Sequence, residues 1–255
     1  MLGLTLVAAT GGAFADDRSS PWTSIASGLW YREWPIPRGG DAGDAKAHVF
    51  RADPRVVHIT VIDARTETRS IATVEQLRSE SRAYVVVNGG FFDEHDRPLG
   101  LVIGDSKETS PLRKVDQGIF LIAGGKPVIQ HSRDPLPYDI EVALQSGPRL
   151  VVGGHALSLK PQASRRTSVC LPGDGTVTIV TVPVPIELSA LASSLVLSTA
   201  EGGLGCWEAL NLDGGPSTQL SAATPTLNLE IPGGWGVPNG LAILPKTTAP
   251  QTPTR

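Results

Sequence analysis

The chain has 255 residues, 40% hydrophobic and 18% charged, which is enough for a sizeable apolar core in one large domain. A formal net charge of -3, with five histidines taken as neutral, offers no basic field for nucleic acid, so an anionic partner would have to be gripped by local arginines. The 28 glycines and 21 prolines favour turns over long helices and predict a β-rich α+β fold, with mixed sheets and two main helices packed on them in a single domain.

Residues 1–15 read as the remnant of an export signal. An apolar segment, residues 2–9, leads to the small-residue pattern Ala13-Phe14-Ala15 and then to Asp16-Asp17. The segment is too short to span a bilayer, and no later run reaches about 18 apolar residues. A secreted or periplasmic location follows as an expectation. In that setting the two cysteines, Cys170 and Cys206, read either as one disulfide or as two buried thiols, and their separation does not fit a CxxC motif.

The first strand is expected over 29–34 and the next at 48–51. Over 56–63 the alternation of Val57, Ile59 and Val61 has the period of two of a half-buried strand. A helix is expected over 71–82, because Thr73 and Gln76 have capping-box spacing and Val74 and Leu77 would share a face. Strands follow at 83–88, 101–106 and 118–123, with a hairpin turn at Gly124-Gly125-Lys126, and 142–145 leads into Ser146-Gly147-Pro148-Arg149-Leu150-Val151-Val152 and a turn at Gly153-Gly154. Strands at 165–171 and 176–184 are joined by Pro172-Gly173-Asp174-Gly175. A second helix is expected over 186–198, with Leu188, Leu191, Ala192 and Leu195 at i, i+3, i+4, i+7. Residues 233–240 read as a loop and 241–244 as a last strand.

Two stretches stand apart. In Leu210-Asn211-Leu212-Asp213-Gly214-Gly215 and in Val85-Val86-Val87-Asn88-Gly89-Gly90, an apolar run ends in a polar side chain beside two glycines. Paired glycines permit turns closed to other residues and let a ligand approach the backbone. Two such strand ends could converge on one pocket. A lone Asp-Gly-Gly is otherwise an ordinary hairpin turn.

The ordered set Asn88-Gly89-Gly90-Phe91-Phe92, Ser146-Gly147-Pro148-Arg149-Leu150, Arg166-Thr167-Ser168-Val169, the second helix and Asn211-Leu212-Asp213-Gly214-Gly215-Pro216-Ser217 resembles the phosphodiester glycosidase family over residues 56–244. The family pattern has Ala and Gly where Ser168 and Cys170 stand, and a third Gly where Pro216 stands, so one amide donor is missing. A late Arg common in the family is replaced by Gly236. The layout this implies is an extension over 16–45, a phosphodiester glycosidase-like domain over 46–245 and a disordered tail over 246–255.

The resemblance implies hydrolysis of a glycosyl phosphodiester in a glycan, with a carboxylate serving the sugar C1. Asp213, Arg166 and Asn88 are the expected catalytic residues. Arg149, Gly89, Gly90, Asp93, Thr167, Gly214, Gly215, Ser217 and Asn211 are the expected substrate-binding ones, with the glycine amides as anion nests. Phe91 or Phe92 could lie under a sugar ring. No cofactor is implied. The run Asp93-Glu94-His95-Asp96 reads as a solvated acidic turn or, alternatively, as oxygen ligands for a divalent cation. A non-catalytic carbohydrate- or anion-binding module on the same scaffold is the competing expectation.

Overall fold

The structure is a computed structural model that describes residues 21–39 and 42–246; the expected signal segment, and the expected tail beyond Lys246, lie outside the described residues. Eighteen strands and two α-helices are described, and the strands form three sheets. The largest has eight strands in the order β1 (Thr23–Ala26), β2 (Leu29–Pro37), β3 (Asp44–Ala52), β14 (Val177–Glu187), β13 (Ala163–Leu171), β15 (Glu208–Asn211), β11 (Arg149–Val152) and β12 (His155–Ala156). Two five-stranded sheets complete the fold. One runs β7 (Lys107–Ser110), β6 (Val102–Gly104), β10 (Ile140–Ser146), β8 (Gly118–Ala123), β9 (Lys126–His131). The other runs β17 (Asn228–Ile231), β16 (Leu220–Ala223), β5 (Val85–Asn88), β18 (Asn239–Pro245), β4 (Val57–Asp63). Residues 23–37, inside the stretch read as an extension, are the outer strands β1 and β2 of the large sheet.

One core is shared by all three sheets: Phe50, Val169 and Leu210 from the first, Phe120 and Leu144 from the second, Val87 and Leu241 from the third. Alternate residues of the large sheet, among them Val180, Val182 and Cys170, point the other way into a second cluster under helix α2 (Leu188–Val196). Helix α1 (Val74–Ser81) covers the outer face of the β5–β18 sheet through Val74 and Leu77. Its capping box is present: Thr73 accepts from the Gln76 amide, and Gln76 returns a bond to the Thr73 amide. The expected α2 start at Ile186 is two residues early, because Ile186 still pairs with Ser164 in the β13–β14 ladder. Cys170 and Cys206 form a disulfide that ties β13 to the segment entering β15.

This topology sets the two Asn–Gly–Gly strand ends against one another. Strand β15 is interior to the large sheet and β5 to one of the five-stranded sheets. Their packed faces share the central core, so the chain beyond β15 need only cross from one layer to the other before continuing as β16.

Candidate active site

The crossing is made by Leu212 to Gln219. The Asp213 amide donates to the Gly89 carbonyl at 3.0 Å, and the Asn88 side chain returns a bond from Nδ2 to the Asp213 carbonyl at 2.7 Å. Asn88 is fully buried, and its Oδ1 accepts from the Thr167 hydroxyl at 2.6 Å and from the Gln219 amide at 3.3 Å. Its carboxamide is thus taken up by protein groups at the seam between sheets. Thr167, also fully buried, is held in the same seam and accepts the Leu212 amide on its carbonyl.

Beside this seam lies a cleft of about 390 Å³, lined by Phe91, Arg166, Asn211, Asp213, Gly214 and Pro216 and by residues of the Gly147-Pro148 and Gln162–Ser164 segments. Among the described residues, Asp213 is its single lining carboxylate. Burial pushes the Asp213 carboxyl above the ordinary aspartate range; the nearby Ser217 hydroxyl and the Gly214 amide, which donates to it, pull the other way. Ser217 is itself buried and accepts from the Trp235 indole N–H at 3.1 Å.

Arg166 is only 5% exposed, and among the described residues no carboxylate lies within ion-pair distance of it. One Nη bonds the Gln162 carbonyl, Nε has no partner, and burial lowers the guanidinium's pKa. An uncompensated buried cation at the wall of a cleft is costly unless an anion arrives there. Gly214 makes room for it: a Cβ there would stand 2.9 Å from the Arg165 carbonyl and 3.3 Å from an Arg166 Nη. Asn211 adds an acceptor of fixed orientation. Its Nδ2 donates to the Gly147 and Leu212 carbonyls at 2.9 and 2.6 Å, leaving the buried Oδ1 unpartnered.

Other expected residues lie elsewhere. The Gly89 and Gly90 amides are both spent on Asn239, at 3.0 Å to its carbonyl and 3.2 Å to its Oδ1, which leaves no nest for a ligand. Their lack of side chain serves packing instead: a Cβ on Gly89 would fall 1.8 Å from Asn239 Oδ1, and one on Gly90 2.5 Å from the Gln145 carbonyl. Arg149 lays its stem over Gly118, and its charge is felt at Asp116 and Glu208; it is not among the residues lining the cleft. Asp93 folds back on its own loop, taking the His95 and Arg97 amides and the Arg97 guanidinium, which hold its pKa down to about 2. Asp96 bonds Ser70, and among the described residues no three metal-ligating side chains converge. Gly214, Gly215 and Phe91 line the cleft, while Phe92 packs towards α1.

Sequence reading missed Gln219, Asn239 and Trp235. Gln219, 1% exposed, bonds the Val74 amide at the start of α1 and the carbonyls of Ser217 and Trp235. A carboxamide at the edge of an apolar run was the available signal for the first two; Trp235 lay inside an evident glycine loop.

The fold is similar to that of the zebrafish N-acetylglucosamine-1-phosphodiester alpha-N-acetylglucosaminidase catalytic domain auto-inhibited by its pro-peptide, with a TM-score of 0.66 and 18% identity over 87% of this chain and 85% of that one. A hypothetical protein from Synechocystis matches with a TM-score of 0.63 and 15% identity over 88% of this chain and 64% of that one. A candidate exported protein from Burkholderia pseudomallei matches with a TM-score of 0.56 and 13% identity, covering 82% and 76%. No curated protein matches the sequence significantly. The family model for phosphodiester glycosidase matches residues 81–244, which include the strand ends, Arg166 and the Asp213 turn, and the chain belongs to that family.

Proposed function

We propose that the chain is an exported hydrolase that cleaves a glycosyl phosphodiester in a glycan between the sugar C1 and the ester oxygen. The observation that carries this reading is the pairing of a desolvated carboxylate, Asp213, with a buried guanidinium lacking an anionic partner, Arg166, in one cleft. The guanidinium binds the phosphodiester anion and stabilises the negative charge that builds on it as the C1–O bond breaks. The carboxylate faces the positive charge developing at C1 and assists water there, and its raised pKa makes it a stronger base than an ordinary aspartate. Water's oxygen joins C1, one of its protons leaves through Asp213, and the phosphate departs as a monoester. A phosphate leaving group needs little protonation, which agrees with a cleft lined by one carboxylate rather than two.

Asn88 has the position of a brace for Asp213 rather than of a group touching substrate. The disulfide fits an exported protein. The test is release of free sugar from a sugar-1-phosphodiester by wild type, Asp213→Asn and Arg166→Ala. Turnover should disappear in both variants while each keeps its fold. Retention of turnover in both would remove the assignment. Tight binding of the same compounds by wild type, with no turnover across a panel of sugars, would favour a non-catalytic binding module.

A further inference from the structure

A second cleft, of about 340 Å³, lies behind the Asp213 turn and is lined by Trp235, Glu230, Glu75, Gln219, Gly233 and Gly234 among others. The two clefts adjoin at Pro216 and Gly234. Pro216 lines the first cleft and Gly234 the second, and the Gly234 amide donates to the Pro216 carbonyl at 2.7 Å. The loop bearing Trp235 is packed without slack: a Cβ on Gly233 would lie 2.7 Å from Gln219 Nε2, and one on Gly234 3.0 Å from Pro216 Cβ. Trp235 is held at two points, its indole N–H on Ser217 and its carbonyl on Gln219, yet the residue remains 51% exposed. A large aromatic ring pinned by its polar edge and left uncovered is poised to hold something flat and apolar on one side.

The charges on this cleft select against phosphate. Glu230 and Glu75 stand close enough to repel, and the Glu230 carboxylate is 43% exposed, bonded to Ser221 and 3.9 Å from Arg78. Carboxylate oxygens accept hydroxyl protons, and a pyranose ring offers a C–H face to an aromatic and hydroxyls to acceptors. We propose that this cleft is a subsite for an uncharged pyranose, the sugar on the alcohol side of the phosphodiester, with its C–H face on Trp235 and its hydroxyls on Glu230 and Glu75. This rests on the hydrolase reading only for its place in the substrate. The two clefts divide the labour by charge: the Arg166 cleft takes the anion, and the Trp235 cleft takes the neutral sugar beyond it.

The test is direct binding, which needs no turnover. Neutral methyl glycosides and short hexose oligosaccharides are titrated into the full chain and followed by saturation-transfer NMR and calorimetry. Wild type should bind them, with transfer strongest to the protons of one ring face. Trp235→Phe, which keeps a ring but drops the bond to Ser217, should bind within about threefold of wild type, whereas Trp235→Ala should bind at least about tenfold more weakly. Glu230→Gln, which leaves the loop untouched, should weaken binding by about threefold or more. Arg166→Ala should bind these neutral sugars as wild type does, and inorganic phosphate should not displace them. Equal binding by Trp235→Ala and wild type, displacement by phosphate, or no binding by wild type would each overturn the subsite. Sugar binding of this pattern in a chain that hydrolyses no phosphodiester would leave the subsite standing and remove the hydrolase reading alone.

Discussion

Asn88→Ala separates a brace from a catalytic group. The substitution removes the three shortest bonds of a fully buried side chain: 2.7 Å to the Asp213 carbonyl, 2.6 Å from the Thr167 hydroxyl and 3.3 Å from the Gln219 amide. Each partner left unpaired in the interior costs about 1 kcal/mol or somewhat more, so about 3–4 kcal/mol of stability should be lost. A domain of this size has about 5–15 kcal/mol in hand, so the variant should still fold. Guanidinium unfolding reads the loss directly. The Asp213 backbone loses one of its two bonds to the end of β5, keeping only that from its amide to the Gly89 carbonyl, and a displacement of about 1 Å would lower kcat by about a hundredfold. Because the effect runs through Asp213, the pH profile of kcat should shift along with its size. Asn88→Asp is the sharper companion: it keeps an acceptor for Thr167 and Gln219 but turns the Nδ2 donor into an oxygen facing the Asp213 carbonyl. A bracing role for Asn88 is refuted if Asn88→Ala unfolds within about 0.5 kcal/mol of wild type. It is also refuted if the variant changes KM alone and leaves kcat and its pH profile as they were.

The other predictions bear on the charges and the cross-link. Burial raises the folded Asp213 pKa above its unfolded value, so its contribution to stability is present below the unfolded pKa and is lost as pH rises through the folded one. Asp213→Asn should therefore unfold at higher denaturant than wild type at neutral pH, and the acid limb of the kcat/KM profile should lie above the ordinary aspartate range. Arg166→Met should be at least as stable as wild type, since it removes a buried charge without an anionic partner, while kcat/KM for a phosphodiester falls by about 2–4 kcal/mol of barrier. Lower stability together with full activity would contradict both halves. Replacing Cys170 and Cys206 by Ala opens a 36-residue loop and should cost about 3–4 kcal/mol, read as a lower guanidinium midpoint, and intact mass should change on reduction of wild type only.

What the sequence made legible was local. Period-two alternation placed β4, capping-box spacing marked Thr73 as the N-cap of α1 although the helix was expected from 71, and the glycine pairs marked the two strand ends. The misreadings came from partners far along the chain. Gly89 and Gly90 looked like a nest, and only the return of Asn239, about 150 positions later, shows that their amides are occupied. Strand β16, Leu-Ser-Ala-Ala, has little β-branched or alternating character and exists because β5 and β17 flank it. Ile186 lies off the stripe of Leu188, Leu191, Ala192 and Leu195, and its pairing with Ser164 keeps it in β14. Arg149 carried the right chemistry in a matching motif, yet its stem is drawn over Gly118 instead of towards Arg166.

The seam around the site is built from neutral amides. Asn88, Gln145, Asn211, Gln219 and Asn239 are all buried at strand ends, and each bonds backbone groups of a neighbouring segment. A carboxamide can satisfy a stranded amide or carbonyl without bringing a charge, which leaves Arg166 unpaired and the Asp213 carboxylate short of cations. The same scaffold made of acids would neutralise Arg166 before substrate arrived. Asn211 is the position where this can be tried. It pairs with Ser168 across β13 and β15, so Arg166, two residues along β13, is its diagonal neighbour on the same face, at about 7–8 Å between Cα atoms. A carboxylate there would attract the guanidinium by roughly 2 kcal/mol at an effective dielectric of about 20. Asn211→Asp should therefore weaken binding of inorganic phosphate by about tenfold or more, whereas Asn211→Ala, which loses the same carbonyl bonds but adds no charge, should weaken it far less. Equal losses in the two variants would mean that Asn211 matters for shape alone and that neutrality of the seam does not keep Arg166 available.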